Sequence, residues 1–124
     1  MAEYTPNFMP GQSVTYTAGG TITAGKVVHI SATGRTITLA TAGSDHTVGV
    51  ACHDAATGAL VTVSRGGEQK VTASGAITAG TPVKSGAAGT VAAWISGTDN
   101  ASLIVGKAIN TAADAALVDV TWTA

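Results

Sequence analysis

Thr17-Ala18-Gly19-Gly20-Thr21-Ile22-Thr23-Ala24-Gly25 returns as Thr72-Ala73-Ser74-Gly75-Ala76-Ile77-Thr78-Ala79-Gly80, with only two positions changed. Further along, Val48-Gly49-Val50-Ala51 and Ala59-Leu60-Val61-Thr62-Val63 return as Val105-Gly106-Lys107-Ala108 and Ala116-Leu117-Val118-Asp119-Val120. The blocks keep their order at a spacing of about 55 residues, the size of one supersecondary unit repeated in tandem. The expected halves are residues 13–66 and 67–124 of one β domain, preceded by an extended arm over residues 1–12.

Around these blocks, short runs of alternating apolar and polar residues are punctuated by glycine-containing turns, the pattern of a many-stranded sandwich or barrel. The alternation predicts strands over 13–18, 26–31, 35–40, 47–53 and 60–65. In the second copy it predicts 69–73, 81–84, 90–94, 102–109 and 117–122. Gly34 and Gly89 stand at matching hairpins, where a residue tolerant of positive φ is wanted. The alanine-rich pieces 53–59 and 110–116 are too short to hold a helix unaided and read as loops. The fold class is all-β, a compact sandwich or barrel built from two similar halves.

Composition narrows the function. In 124 residues, hydrophobic residues make up 45% but aromatics only 4%, so the core must be assembled from Val, Ile, Leu and Ala. Such a core is thin, and apolar surface covered by other subunits is the physical expectation. Charged residues are 10% of the chain, against a usual quarter, and the formal net charge is -1. Lys26, Arg35, Arg65, Lys70, Lys84 and Lys107 are scattered singly, without the basic stripe that nucleic acid requires. Cys52 is the single cysteine, so no intrachain disulfide supports the fold. The opening residues lack a signal-peptide pattern and no apolar run approaches membrane-spanning length, so synthesis in a cytoplasm without membrane association is expected.

Few residues suggest chemistry. His46, Cys52, His53 and Asp54 combine metal-ligand types in one stretch. On a strand, however, Cys52 and His53 point to opposite faces, and the second copy has Ile109 and Asn110 in their places. The reading is therefore no metal and no cofactor, with Cys52 in the core and His53 at the rim. His29, matched by Lys84, reads as an outward strand position. No serine lies in a nucleophile elbow, and Arg65-Gly66-Gly67-Glu68 lacks the Lys-Ser/Thr ending of a phosphate loop, so it reads as the turn between copies. Trp94, set against Leu39 of the first copy, and Trp122 read as subunit-interface or core residues ahead of platforms for a sugar ring.

Residues 1–12 stand outside the repeat. Tyr4, Phe8 and Met9 alternate there with Pro6 and Pro10, which oppose regular strand pairing, so the segment reads as an arm whose apolar side chains bind a partner, the alternative being that it folds back to cap its own barrel.

The Ser13-Val14-Thr15-Tyr16-Thr17-Ala18 opening, the Ile-Thr-Ala-Gly turns at Ile22 and Ile77, the Val105-Gly106-Lys107-Ala108 segment and a last strand of Val, Thr and Trp resemble the capsid decoration, or cement, proteins of tailed bacteriophages. The resemblance runs from about Gln12 to the end. It implies a non-enzymatic virion protein that binds the major capsid protein lattice on the outer surface of a mature head, stabilises it as a homotrimer, and has no catalytic residues. Tyr4, Pro6, Phe8, Met9 and Pro10 are then the expected capsid-binding residues, and Trp94 and Trp122 the expected subunit contacts. The alternative reading is a carbohydrate-binding or adhesive module displayed on a particle surface. A metal-dependent enzyme using His46 and His53 stands third.

Overall fold

Val14, Tyr16 and Ala18 are buried while Thr15 between them is exposed, and this two-residue period makes residues 14–18 a strand with one wet face. A computed structural model describes residues 13–123 of the chain, and the same logic recurs through ten strands. They are β1 (Val14–Ala18), β2 (Val27–Ile30), β3 (Thr36–Leu39), β4 (Thr47–Ala51) and β5 (Leu60–Ser64), then β6 (Glu68–Thr72), β7 (Pro82–Ser85), β8 (Val91–Ala93), β9 (Ile104–Ala108) and β10 (Leu117–Trp122). Every strand expected from the alternation is present, with ends displaced by no more than two residues. The alanine-rich pieces are loops, and among the described residues the only helical turns are two of 3-10 type, Ala87–Gly89 and Ala101–Leu103.

Of the two expected all-β architectures the first half adopts the barrel. Strands β1 to β5 close in the order β1-β3-β2-β4-β5, antiparallel except for the parallel pair β1–β3. Strands β6 to β10 form a five-stranded sheet in the order β6-β10-β9-β7-β8, which is the same cyclic order opened between β6 and β8. A single parallel bridge, Ala73 to Val91, spans that opening, and the Ser74 amide donates to the Val91 carbonyl at 2.6 Å. In the first barrel the corresponding bond runs from the Gly19 amide to the Ile37 carbonyl at 2.7 Å. Details match as well: bulges fall at Val28/His29 and Val83/Lys84, and the turn isoleucines bridge to Ala55 and Ala112.

One stretch of the repeat is out of step. Six residues separate the paired Ile30 and Ile37, but five separate Ser85 and Val91. Arg35 therefore occupies the place of Gly89. Arg35 carries the positive φ of 54°, Gly89 one of 77°, and Gly34 has none, which corrects the expectation for Gly34. The same slip sets Trp94 against Ala40 rather than Leu39: the Ala40 amide donates to the Val27 carbonyl at 2.9 Å and the Trp94 amide to the Pro82 carbonyl at 2.8 Å.

The halves are joined through shared packing. Val27, Ala40 and Val50 of the first barrel belong to the same apolar cluster as Val71, Val83, Val91, Val105 and Trp122 of the second. A second cluster, around Ile22, Val28, Ile37, Val61 and Val63, lies within the first barrel. Backbone crosses the junction too, since the Gly89 amide donates to the Ala40 carbonyl and the Gly43 amide to the Ser85 carbonyl, both at 2.9 Å. Gly89 sits so close that a Cβ there would lie 2.8 Å from both the Lys26 Cβ and the Val27 carbonyl oxygen.

Close approach also fixes Gly106. A Cβ at that position would lie 2.7 Å from Val120 Cγ1 and collide with the Thr121 carbonyl of the neighbouring strand. Gly106→Ala is expected to destabilise the protein by about 1–3 kcal/mol through overpacking, measured by denaturant unfolding, while Gly20→Ala, with open space around it, changes far less.

Candidate functional site

Tyr4, Pro6, Phe8, Met9 and Pro10 lie outside the described residues. Of the two tryptophans, Trp122 is 5% exposed within the cluster shared by the two halves, where its Nε1 has no hydrogen-bond partner among the described residues. Of the two readings for Trp122, core or subunit contact, this burial accords with the core. Trp94 is half-buried at the surface, its ring oriented by an Nε1 bond to the Asn100 carbonyl at 2.9 Å. Ile95 beside it is exposed, and so are Leu60, Leu117 and Ile109. Leu60 and Leu117 are equivalent first residues of β5 and β10.

The stretch from Cys52 to Asp54 is resolved into structural roles. Cys52 is exposed, not in the core as expected, because β4 ends at Ala51 and the chain turns outward. The His53 ring is held by backbone on both sides: Nδ1 contacts the Asp54 carbonyl at 3.0 Å and Nε2 accepts from the Thr62 amide at 3.2 Å. At the equivalent place Asn110 Oδ1 accepts from the Asp119 amide at 3.0 Å. Both residues satisfy the same strand amide, so the His-to-Asn exchange between copies keeps one structural task. Asp54 Oδ1 accepts from the Ala24 amide at 2.8 Å, as Thr111 Oγ1 does from Ala79 at 3.1 Å. An open cleft lined by Thr21, Ile22, Thr23, Asp54, Ala55 and Ala56 runs beside it, offering one carboxylate already bonded to backbone. No group of three or more His, Cys, Asp or Glu side chains is placed to hold a metal among the described residues.

A cluster that sequence reasoning missed lies at the junction. His29, expected to point outward, is 8% exposed, with Nδ1 2.8 Å from Ser44 Oγ and its ring stacked on His46 at 4.4 Å between centroids. Its flanking Val27, Val28 and Ile30 were the available signal, since an apolar run of this kind buries both strand faces. Ser44 also donates its amide to Ser85 Oγ at 2.8 Å, and that hydroxyl donates to the Thr41 carbonyl at 2.8 Å. The imidazole is thus connected through one serine to the bonds between the halves. Burial, and then the charge of His46, pushes the His29 pKa below the ordinary histidine range. Asp45, bonded through Oδ1 to His46 at 2.9 Å, is held below the usual carboxylate range by that hydrogen bond. On the second half, the bond from Lys84 to Asp99 at 2.8 Å lowers Asp99 likewise.

These side chains complete turns, tie strands and join the halves. Residues 8–122 match the family model described as phage cement protein. The chain belongs to the phage cement protein family. This is a family of structural phage proteins rather than of enzymes. The fold is also that of a solved structure, the N base of the head fiber gp8.5 of bacteriophage phi29, at a TM-score of 0.67 and 24% identity over 90% of this chain and 93% of that one. No curated protein matches the chain.

Two outcomes follow from the geometry. His53→Asn keeps the acceptor for the Thr62 amide and leaves stability unchanged, whereas His53→Ala loses up to about 1 kcal/mol at this exposed position, measured by thermal unfolding of both variants. Because the His29 pKa is lower in the folded chain than in the unfolded one, the unfolded chain takes up the proton first. Stability is therefore complete above about pH 6.5 and falls as the pH drops below it, until the folded value is passed. His29→Asn should flatten that slope in chemical denaturation between pH 7.5 and 5, leaving the separate loss below about pH 4 that arises from Asp45 and Asp99.

Proposed function

We propose that this chain decorates the outer surface of a mature phage head, binding the major capsid protein lattice as a homotrimer and stabilising the shell. The observation that carries the reading is the family match, which takes in the whole β region and reaches Phe8 in the arm. A closed barrel and a five-stranded sheet joined by a shared core give one packed body, suited to bridging neighbouring capsid subunits. The side chains of Tyr4, Phe8 and Met9, on a segment that Pro6 and Pro10 keep from regular pairing, supply apolar anchors for grooves on the shell or for addition to an exposed capsid strand. Three arms in one oligomer turn weak single contacts into a strong joint one through effective concentration. The oligomer also tells expanded from immature shells by spacing, since all arms engage only where the lattice permits.

Co-sedimentation with purified expanded heads tests this. The full chain is expected to pellet with heads and to raise their thermal stability. A chain lacking residues 1–10 should retain its β spectrum and oligomeric mass but remain in the supernatant. Undiminished binding by the shortened chain would discard the arm as anchor, and a full chain that ignores heads would discard decoration itself.

A further inference from the structure

The contact that joins the two halves is made by unlike faces. The first barrel contributes Val27, Ala40, Val50 and the backbone from Thr41 to Ser44; the second contributes Ser85, Gly89 and, against Gly43, Leu103. Because the halves share one topology, each also carries a counterpart of the face its partner uses. Neither counterpart belongs to the core shared by the halves, and on the first half Arg35 is tied to its own barrel by a bond to the Thr15 carbonyl and by the Tyr16 ring. On the second half the equivalents of Val27, Ala40 and Val50 are Pro82, Trp94 and Lys107, by register: Val27 pairs with Val50 and Pro82 with Lys107, while Ala40 and Trp94 donate to Val27 and Pro82. The first trio is 0%, 0% and 4% exposed. In the second, Pro82 and Trp94 are half-buried, Lys107 is exposed, and the neighbouring Ile95 is 54% exposed.

We propose that the face formed by Pro82, Trp94, Ile95 and Lys107 receives a second copy of this chain, at the end of its first barrel that carries Ile30, Ser31, Thr33 and Asp45. That end is the counterpart of the Ser85 and Gly89 face, through Ile30 in the place of Ser85 and Arg35 in that of Gly89. The contact between halves is then continued between chains in altered form. An indole stands where the internal contact has the methyl of Ala40, so the two cannot be superposable. The internal joint admits only a glycine against backbone, whereas the outer one offers a large ring already oriented by Asn100, the kind of anchor on which interfaces concentrate their energy. Charge fits the pairing too. Lys107 makes no ion pair among the described residues, and the opposite end presents Asp45 with 67% of its side chain exposed beside His46. A contact between unlike faces is heterologous, so successive chains follow head to tail and close into a ring when the rotation permits. This inference rests on the homotrimer reading but not on head binding.

The heterologous geometry gives a test that a same-face contact would fail. Ile95→Arg spoils one face and Thr33→Arg the other, both at exposed side chains, and circular dichroism checks that each variant keeps the wild-type spectrum. In sedimentation velocity the full wild-type chain is expected as an oligomer and each variant alone as a monomer. An equimolar mixture of the two variants is expected as a complex of two chains, because one intact face of each remains. A wild-type oligomer that Ile95→Arg leaves unchanged, or a mixture that stays monomeric, overturns this face while leaving the oligomer standing. A monomeric wild type overturns both, and head co-sedimentation is scored separately.

Discussion

Val27, Ala40 and Val50 face out of a barrel that is already closed, and they escape water only because the second half packs over them. Each fully buried valine contributes about 1.5–3 kcal/mol relative to exposure, so this small patch is worth a large part of a marginal domain's stability. Backbone geometry makes the joint specific: Gly89 lies against Val27 too closely for any side chain, and its amide finds the Ala40 carbonyl. Among the described residues, each half buries only one large aromatic, Tyr16 in the first and Trp122 in the second. Joining the halves lets a chain built from valine and alanine bury enough surface for one stable body.

The joint also explains where polar groups are found. Ser44, Ser85 and His29 are the buried polar residues among those described, and they form one connected set at the junction. Buried polar groups are retained when each meets a partner, and here Ser44 links His29 of its own half to Ser85 of the other. The titratable member of the set is therefore a structural element whose protonation bears on the joint rather than on a substrate. This accords with a family of structural phage proteins.

Much of the fold was legible in the sequence. The ten strands follow from alternation and from glycine turns, and the family resemblance rested on the same residues. What was not legible depended on pairing across strands. A hairpin shorter by one residue moves Trp94 from Leu39 to Ala40, and no single-chain spacing reveals that shift because the flanking residues stay similar. Cys52 was misplaced because the strand period was carried two residues too far, past the end of β4 at Ala51. His29 was placed outward because its counterpart is Lys84, but the two meet different neighbours: one packs beside Ser44 at the junction, the other reaches Asp99 at the surface. The His53 and Asn110 exchange was visible as a difference, while its common purpose, one strand amide satisfied in each copy, needed the hydrogen bonds.

The central claim is that this joined barrel and sheet is a component of the phage head carried on its outer surface. A cryo-electron microscopy reconstruction of expanded heads incubated with the purified chain tests it most directly. The account predicts added density outside the shell into which both halves fit together as one body in the relative placement described. Shells that remain bare, or density confined to the inner surface, would contradict it.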